Sequence, residues 1–67
     1  MNADRDRSRA QALAAEVERR GTPSLPQLAA TFEQRGYSLP GFSRALVHAL
    51  DAGLVEWEPG YYLKATP

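Results

Sequence analysis

Ser43, His48 and Asp51 are the side-chain types of a hydrolytic triad, gathered in one short stretch of the chain. A nucleophilic serine needs a base within hydrogen-bond reach and a carboxylate to orient that base. It also needs a cleft that holds the scissile bond. On a helix these three positions run along a surface stripe, with no cleft and no orienting network. The spacing therefore predicts no catalytic residue and no enzymatic activity. One histidine and no cysteine are too few ligands for a zinc centre, and no glycine-rich loop is present to cradle a phosphate. No metal and no cofactor are expected.

The elements that carry these residues can be read from periodicity and punctuation. The chain has 67 residues, which fits one domain, and 43% of them are hydrophobic, enough for a small core. Without cysteine no disulfide can staple it, so packing and helix caps must hold it together. No apolar run approaches the ~20 residues of a membrane helix, and no apolar segment follows a basic start in the manner of a signal peptide. A cytoplasmic protein without membrane contact is the expectation.

Residues 1–7 are polar, with alternating Asp and Arg at 4–7, and read as a flexible arm, followed by a domain over 8–64 and a tail at 65–67. Ser8 and Gln11 have capping-box spacing, so the first helix is expected over about 8–20, with Ala10, Leu13, Ala14 and Val17 inward. Ser24 and Gln27 repeat the box. A second helix follows to about residue 35, with Pro26 in its first turn and Leu25, Leu28, Ala29 and Phe32 inward. Thr22 and Pro23 read as extended. Ser38 caps a third helix over about 38–52, where Phe42, Ala45, Leu46, Ala49 and Leu50 make the buried stripe. Tyr37 and Phe42 have hydrophobic-staple spacing. Gly21, Gly36 and Gly53 are the stops.

After Gly53 the period changes. "LVEW" and "YYLK" are short strand-like runs around "EPGY", whose central Pro-Gly predicts a type II turn and hence a hairpin over about 54–64. Two-residue connections prefer other turn types, which leaves a longer or irregular loop open. Trp57 and Tyr62 are expected to face each other across it and to join the core. The fold class is thus mostly α with a small β-hairpin.

The segments "FSRAL" (42–46), Leu50, "AGLVE" (52–56) and "GYYL" (60–63) in that order resemble the winged helix-turn-helix domains of bacterial transcription regulators. The likeness spans about residues 10–64. The longer second helix and turn, "LAATFEQRGYSLPGF", is similar to arginine-repressor N-terminal domains and more loosely to LOTUS-type winged helices. The resemblance implies a three-helix winged fold with the third helix in the major groove of double-stranded DNA, and a role in transcription regulation. It would place Ser43, Arg44, Val47 and His48 at the reading face. Arg44 suits a guanine edge or a phosphate, Ser43 a base or a phosphate, and Val47 a thymine methyl. Ser38 leaves helix amides for a phosphate, and Lys64 on the hairpin adds a cation.

Each of these residues also has a plain structural reading: a solvated arginine, a half-buried histidine, a helix cap. Charge argues against avid binding, because eight Lys and Arg balance eight Asp and Glu. From residue 36 onward Arg44 and Lys64 face Asp51, Glu56 and Glu58. Glu56 and Glu58 would repel phosphates. With exposed Tyr61 they point to the alternative, a protein-docking hairpin. Winged helices also serve as RNA-binding units, which is a third reading. A neutral monomer with one reading helix binds DNA weakly, so a homodimer or an attached domain is implied.

Overall fold

The computed structural model describes residues 2–67. Three helices, α1 (Asn2–Arg20), α2 (Leu25–Gln34) and α3 (Leu39–Asp51), precede two antiparallel strands, β1 (Val55–Glu58) and β2 (Tyr62–Ala65). No helix among the described residues is long and apolar enough to cross a membrane.

α1 starts earlier than its sequence implies. The expected arm is helical from Asn2, and Ser8 sits exposed inside the helix instead of capping it. Two forces extend the helix. Asp4 in the first turn suits the positive end of the helix dipole. Asp6 lies against α3, its Oδ2 3.4 Å from His48 Nε2. The other two starts follow the sequence. The Gln27 N–H donates to Ser24 Oγ at 3.3 Å while the Ser24 N–H donates to Gln27 Oε1 at 3.1 Å. The Gly41 N–H donates to Ser38 Oγ at 3.1 Å. These bonds occupy amides that would otherwise lack partners at each helix start.

Leu13, Val17, Leu28, Phe32, Ala45, Ala49, Val55 and Leu63 form the centre of the core, closed by Ala10 and Phe42. Phe32 lies between Tyr37 and Phe42, with ring centroids 4.9 and 5.8 Å away, so it bridges the two staple positions. Leu46 does not sit at the centre of its stripe. It and Leu50 are half-buried at the rim, while Ala45 and Ala49 are fully covered. The small alanines let the α3 backbone come close to the other elements, and the leucines then flank the contact.

The hairpin closes through three residues, Pro59, Gly60 and Tyr61. A two-residue turn would place Trp57 opposite Tyr62. The extra residue shifts the register by one, so Trp57 pairs with Leu63 and Glu58 with Tyr62. Leu63 thereby reaches the core. Trp57 and Tyr62, expected there, are instead 45% and 44% exposed. Gly60 has φ 90°, and a Cβ there would come within 3.1 Å of the Tyr62 ring, so both backbone and space call for glycine. The residues around Ser24 flank β2 on its other side. The Leu63 N–H donates to Pro23 O, the Leu25 N–H donates to Tyr61 O (both 3.0 Å), and Ser24 bridges Tyr62. The expected tail is also partly tied down, because Ala65 belongs to β2 and the Thr66 N–H donates to Leu54 O at 3.0 Å.

Candidate nucleic-acid interface

With Phe42, Ala45 and Ala49 turned inward, the 3.6-residue period leaves Ser43, Arg44 and Val47 together on the outer face of α3. All three are exposed, Val47 by 54%. Arg44 has no hydrogen-bond or ion-pair partner among the described residues. Ser38 is exposed at the start of the same helix, where its hydroxyl caps the Gly41 amide. The structure thus brings Ser43, Arg44 and Val47 onto one accessible surface, with Ser38 at its N-terminal end.

His48 and Lys64 are placed differently. His48 Nε2 faces Asp6 Oδ2 of α1 at 3.4 Å, so its carboxylate neighbour is on another helix, not Asp51 on its own. Lys64 Nζ lies 2.6 Å from Glu58 Oε1 and 3.1 Å from Glu56 Oε1. Register explains this, since Glu56 is its direct cross-strand partner and Glu58 lies diagonally on the same face. Hydrogen bonds to Glu58 first, then Glu56, raise the Lys64 pKa above its ordinary value. The two hairpin glutamates that oppose phosphate binding therefore also occupy the hairpin's one lysine.

Two arginines not marked by sequence reasoning approach the start of α3. Arg9 and Arg35 line a concavity with Gly36, Tyr37, Ser38 and Gly41. The Arg9 guanidinium lies 5.5 Å from the Tyr37 ring centroid, and that of Arg35 lies 5.0 Å from the Phe32 centroid. Such stacking fixes where these charges stand. Nothing local in the sequence signals the meeting, because it depends on how α1 crosses the turn between α2 and α3.

Arg35 also belongs to an ionic cluster around Glu16. Its Nη2 donates to Glu16 Oε1 at 2.7 Å, and Arg19 and Arg20 bond the same carboxylate from the next turn of α1. Glu16 is the one buried charged residue among those described. Hydrogen bonds from Arg19, then Arg20, then Arg35 hold its pKa at about 2, against burial, which acts in the opposite direction. Arg20 continues the link to α2 through Thr31 Oγ1 at 2.9 Å. The Glu16, Arg19 and Arg20 spacing is legible as i, i+3 and i, i+4 pairs; the reach to Arg35 is not. No group of three or more potential metal ligands forms among the described residues.

No family model matches the chain, and no curated protein or solved structure matches it.

Proposed function

We propose that the domain is a winged helix-turn-helix unit that binds double-stranded DNA through the outer face of α3. The observation that carries the reading is the joint exposure of Ser43, Arg44 and Val47 beside the capped start of α3. That face offers a forked cation, a small hydroxyl and an apolar contact, the set that distinguishes bases in the major groove. The order of three helices and a hairpin, with the segment at Ser24 running along β2, supports the winged layout. Arg9 adds positive charge at the N-terminal end of α3, where a phosphate flanking the groove would pass, while Arg35 beside it is held by Glu16.

In this reading the hairpin does not track the backbone. Lys64 is shared by two glutamates, and the outer face it occupies is acidic. One reading helix without a basic hairpin binds weakly, so useful affinity requires a second copy or an attached domain. The test is a fluorescence-anisotropy titration of a mixed-sequence duplex at low and at moderate salt. Saturable binding that weakens with salt, and weakens further in Arg44→Ala, is expected. Absence of duplex binding at low salt would overturn the reading.

A further inference from the structure

The hairpin carries a surface for which DNA binding has no use. Trp57 and Tyr61 meet edge-to-face at the turn, their ring centroids 6.4 Å apart. With Glu58, Pro59 and Gly60 they line one shallow concavity. Tyr61 is 75% exposed. Large aromatic surfaces left in water on a small domain are characteristic of contact sites. Tyr61 is also held against its backbone preference. It is the one non-glycine residue with positive φ among those described, at 64°. Glycine or asparagine adopts that conformation more readily, so the turn itself does not call for tyrosine.

β1 runs beside this patch as an open edge. Glu56 pairs with Lys64 and Glu58 with Tyr62. Thr66 bonds Leu54 in the same ladder. The alternation of an antiparallel ladder then turns the N–H and C=O of Val55 and Trp57 away from β2, and of the two residues Trp57 is exposed while Val55 is 2% exposed. No backbone group meets them among the described residues. The other side of β2 is already flanked at Ser24. Charge completes the picture, because Glu56 and Glu58 flank a single cation on the outer face of the hairpin.

We propose that the β1 edge and the Trp57–Tyr61 patch form a docking site for an extended, lysine- or arginine-bearing segment of a partner protein. The partner's main chain would pair with the accessible N–H and C=O of Trp57, as in strand addition to a sheet edge, while Val55 is covered. The segment's cations would meet Glu56 and Glu58 on one face of the strand, while its alternate apolar side chains lie against Trp57 on the other. A second copy docking through the same edge would set the glutamates against their own kind. Nucleic acid would be repelled by them. The proposal is independent of α3, whose Arg44→Ala variant should retain this docking site in full.

Trp57 is the only tryptophan of the chain and reports directly on the site. Its emission is followed while the protein is titrated with a short synthetic peptide of alternating lysine and valine, and separately with the glutamate–valine counterpart. The lysine peptide is expected to give a saturable shift and the glutamate peptide none. The double variant Glu56→Lys/Glu58→Lys should reverse that preference. Tyr61→Asn should weaken peptide binding while raising the melting temperature, because asparagine relieves the backbone strain as the contact is lost. No saturable response to the lysine peptide, or an unchanged preference in the double variant, would overturn the proposal. So would an equal Trp57 shift on adding duplex DNA, or one produced by raising the protein concentration alone.

Discussion

The outer face of α3 and the outer face of the hairpin each present one cation suited to a phosphate, and the two stand in opposite circumstances. Arg44 has no partner among the described residues, while Lys64 bonds both Glu56 and Glu58. Lys64 must break two ion pairs before it can meet a phosphate; Arg44 needs only to shed water. A formal charge in the sequence is therefore not yet a charge available for binding. The same contrast divides the apolar groups. α3 offers Leu39 and Val47, about two turns apart on a polar face, whereas the hairpin gathers Trp57 and Tyr61 into a patch with an acidic margin. The first suits a groove lined with bases, the second a basic polypeptide.

Both faces hang from one core, so the largest effect comes from removing their common support. Phe32→Ala should cost about 3–5 kcal/mol, enough to unfold much of so small a domain, because Phe32 is fully buried and packs against both Tyr37 and Phe42. Leu46→Ala should cost clearly less, since Leu46 is at the rim. Thermal denaturation of the two variants side by side measures the difference. Equal losses would mean that α3 is rotated toward Leu46, which would also move Arg44 and Val47.

The ionic cluster on α1 gives the next effect. The folded Glu16 carboxyl has its pKa lowered from 4.5 to about 2. A depressed carboxylate pKa stabilises the fold above the unfolded value, and that contribution is lost as pH falls through the window from about 4.5 to about 2. Its arginine partners are partly exposed, so screening limits the contribution to about 1–2 kcal/mol. Urea midpoints measured across this window should fall steeply for the wild type and less steeply for Glu16→Gln. Parallel curves would show that Glu16 is not held as described.

How much of this was legible in the sequence differs between elements. The caps at Ser24 and Ser38, the three helices and the hairpin follow from local chemistry: a hydroxyl bonding an amide three residues on, a stop, a change of period. The start of α1 was only half legible, because Asp4 suits the first turn locally while the contact of Asp6 with His48 depends on the tertiary arrangement. The hairpin register was missed for a similar reason. Pro59-Gly60 marks a turn without fixing its length, since two-residue hairpins favour other turn types. A tyrosine at positive φ is locally unfavourable, so the expected pairing is Trp57 opposite Tyr62. Packing of Leu63 into the core accompanies the other register. Within the candidate site, Arg44, Ser43 and Val47 could be read from helical period. The partners of His48 and Lys64 and the approach of Arg9 and Arg35 required the tertiary arrangement.

Freeing the hairpin's cation sharpens the comparison further. Glu56→Lys/Glu58→Lys removes both carboxylates from Lys64 and adds two cations. If the hairpin can reach a phosphate, duplex binding should tighten, and the slope of log affinity against log salt should steepen by about 0.9 for each contact made. Tightening without a change in slope would place the hairpin away from the backbone. The variant's effect on stability should be small by comparison, because the groups are solvated.

The central claim is that α3 supplies the reading face, and Arg44→Ala tests it most directly. Arg44 is exposed and unpartnered among the described residues, so the substitution should change stability by no more than about 0.5 kcal/mol. Duplex affinity, measured by anisotropy at matched salt for wild type and variant, should fall by the equivalent of about 1–3 kcal/mol. An Arg44→Ala variant that folds as the wild type does and binds the duplex with unchanged affinity would contradict the assignment of α3 as the DNA-reading element.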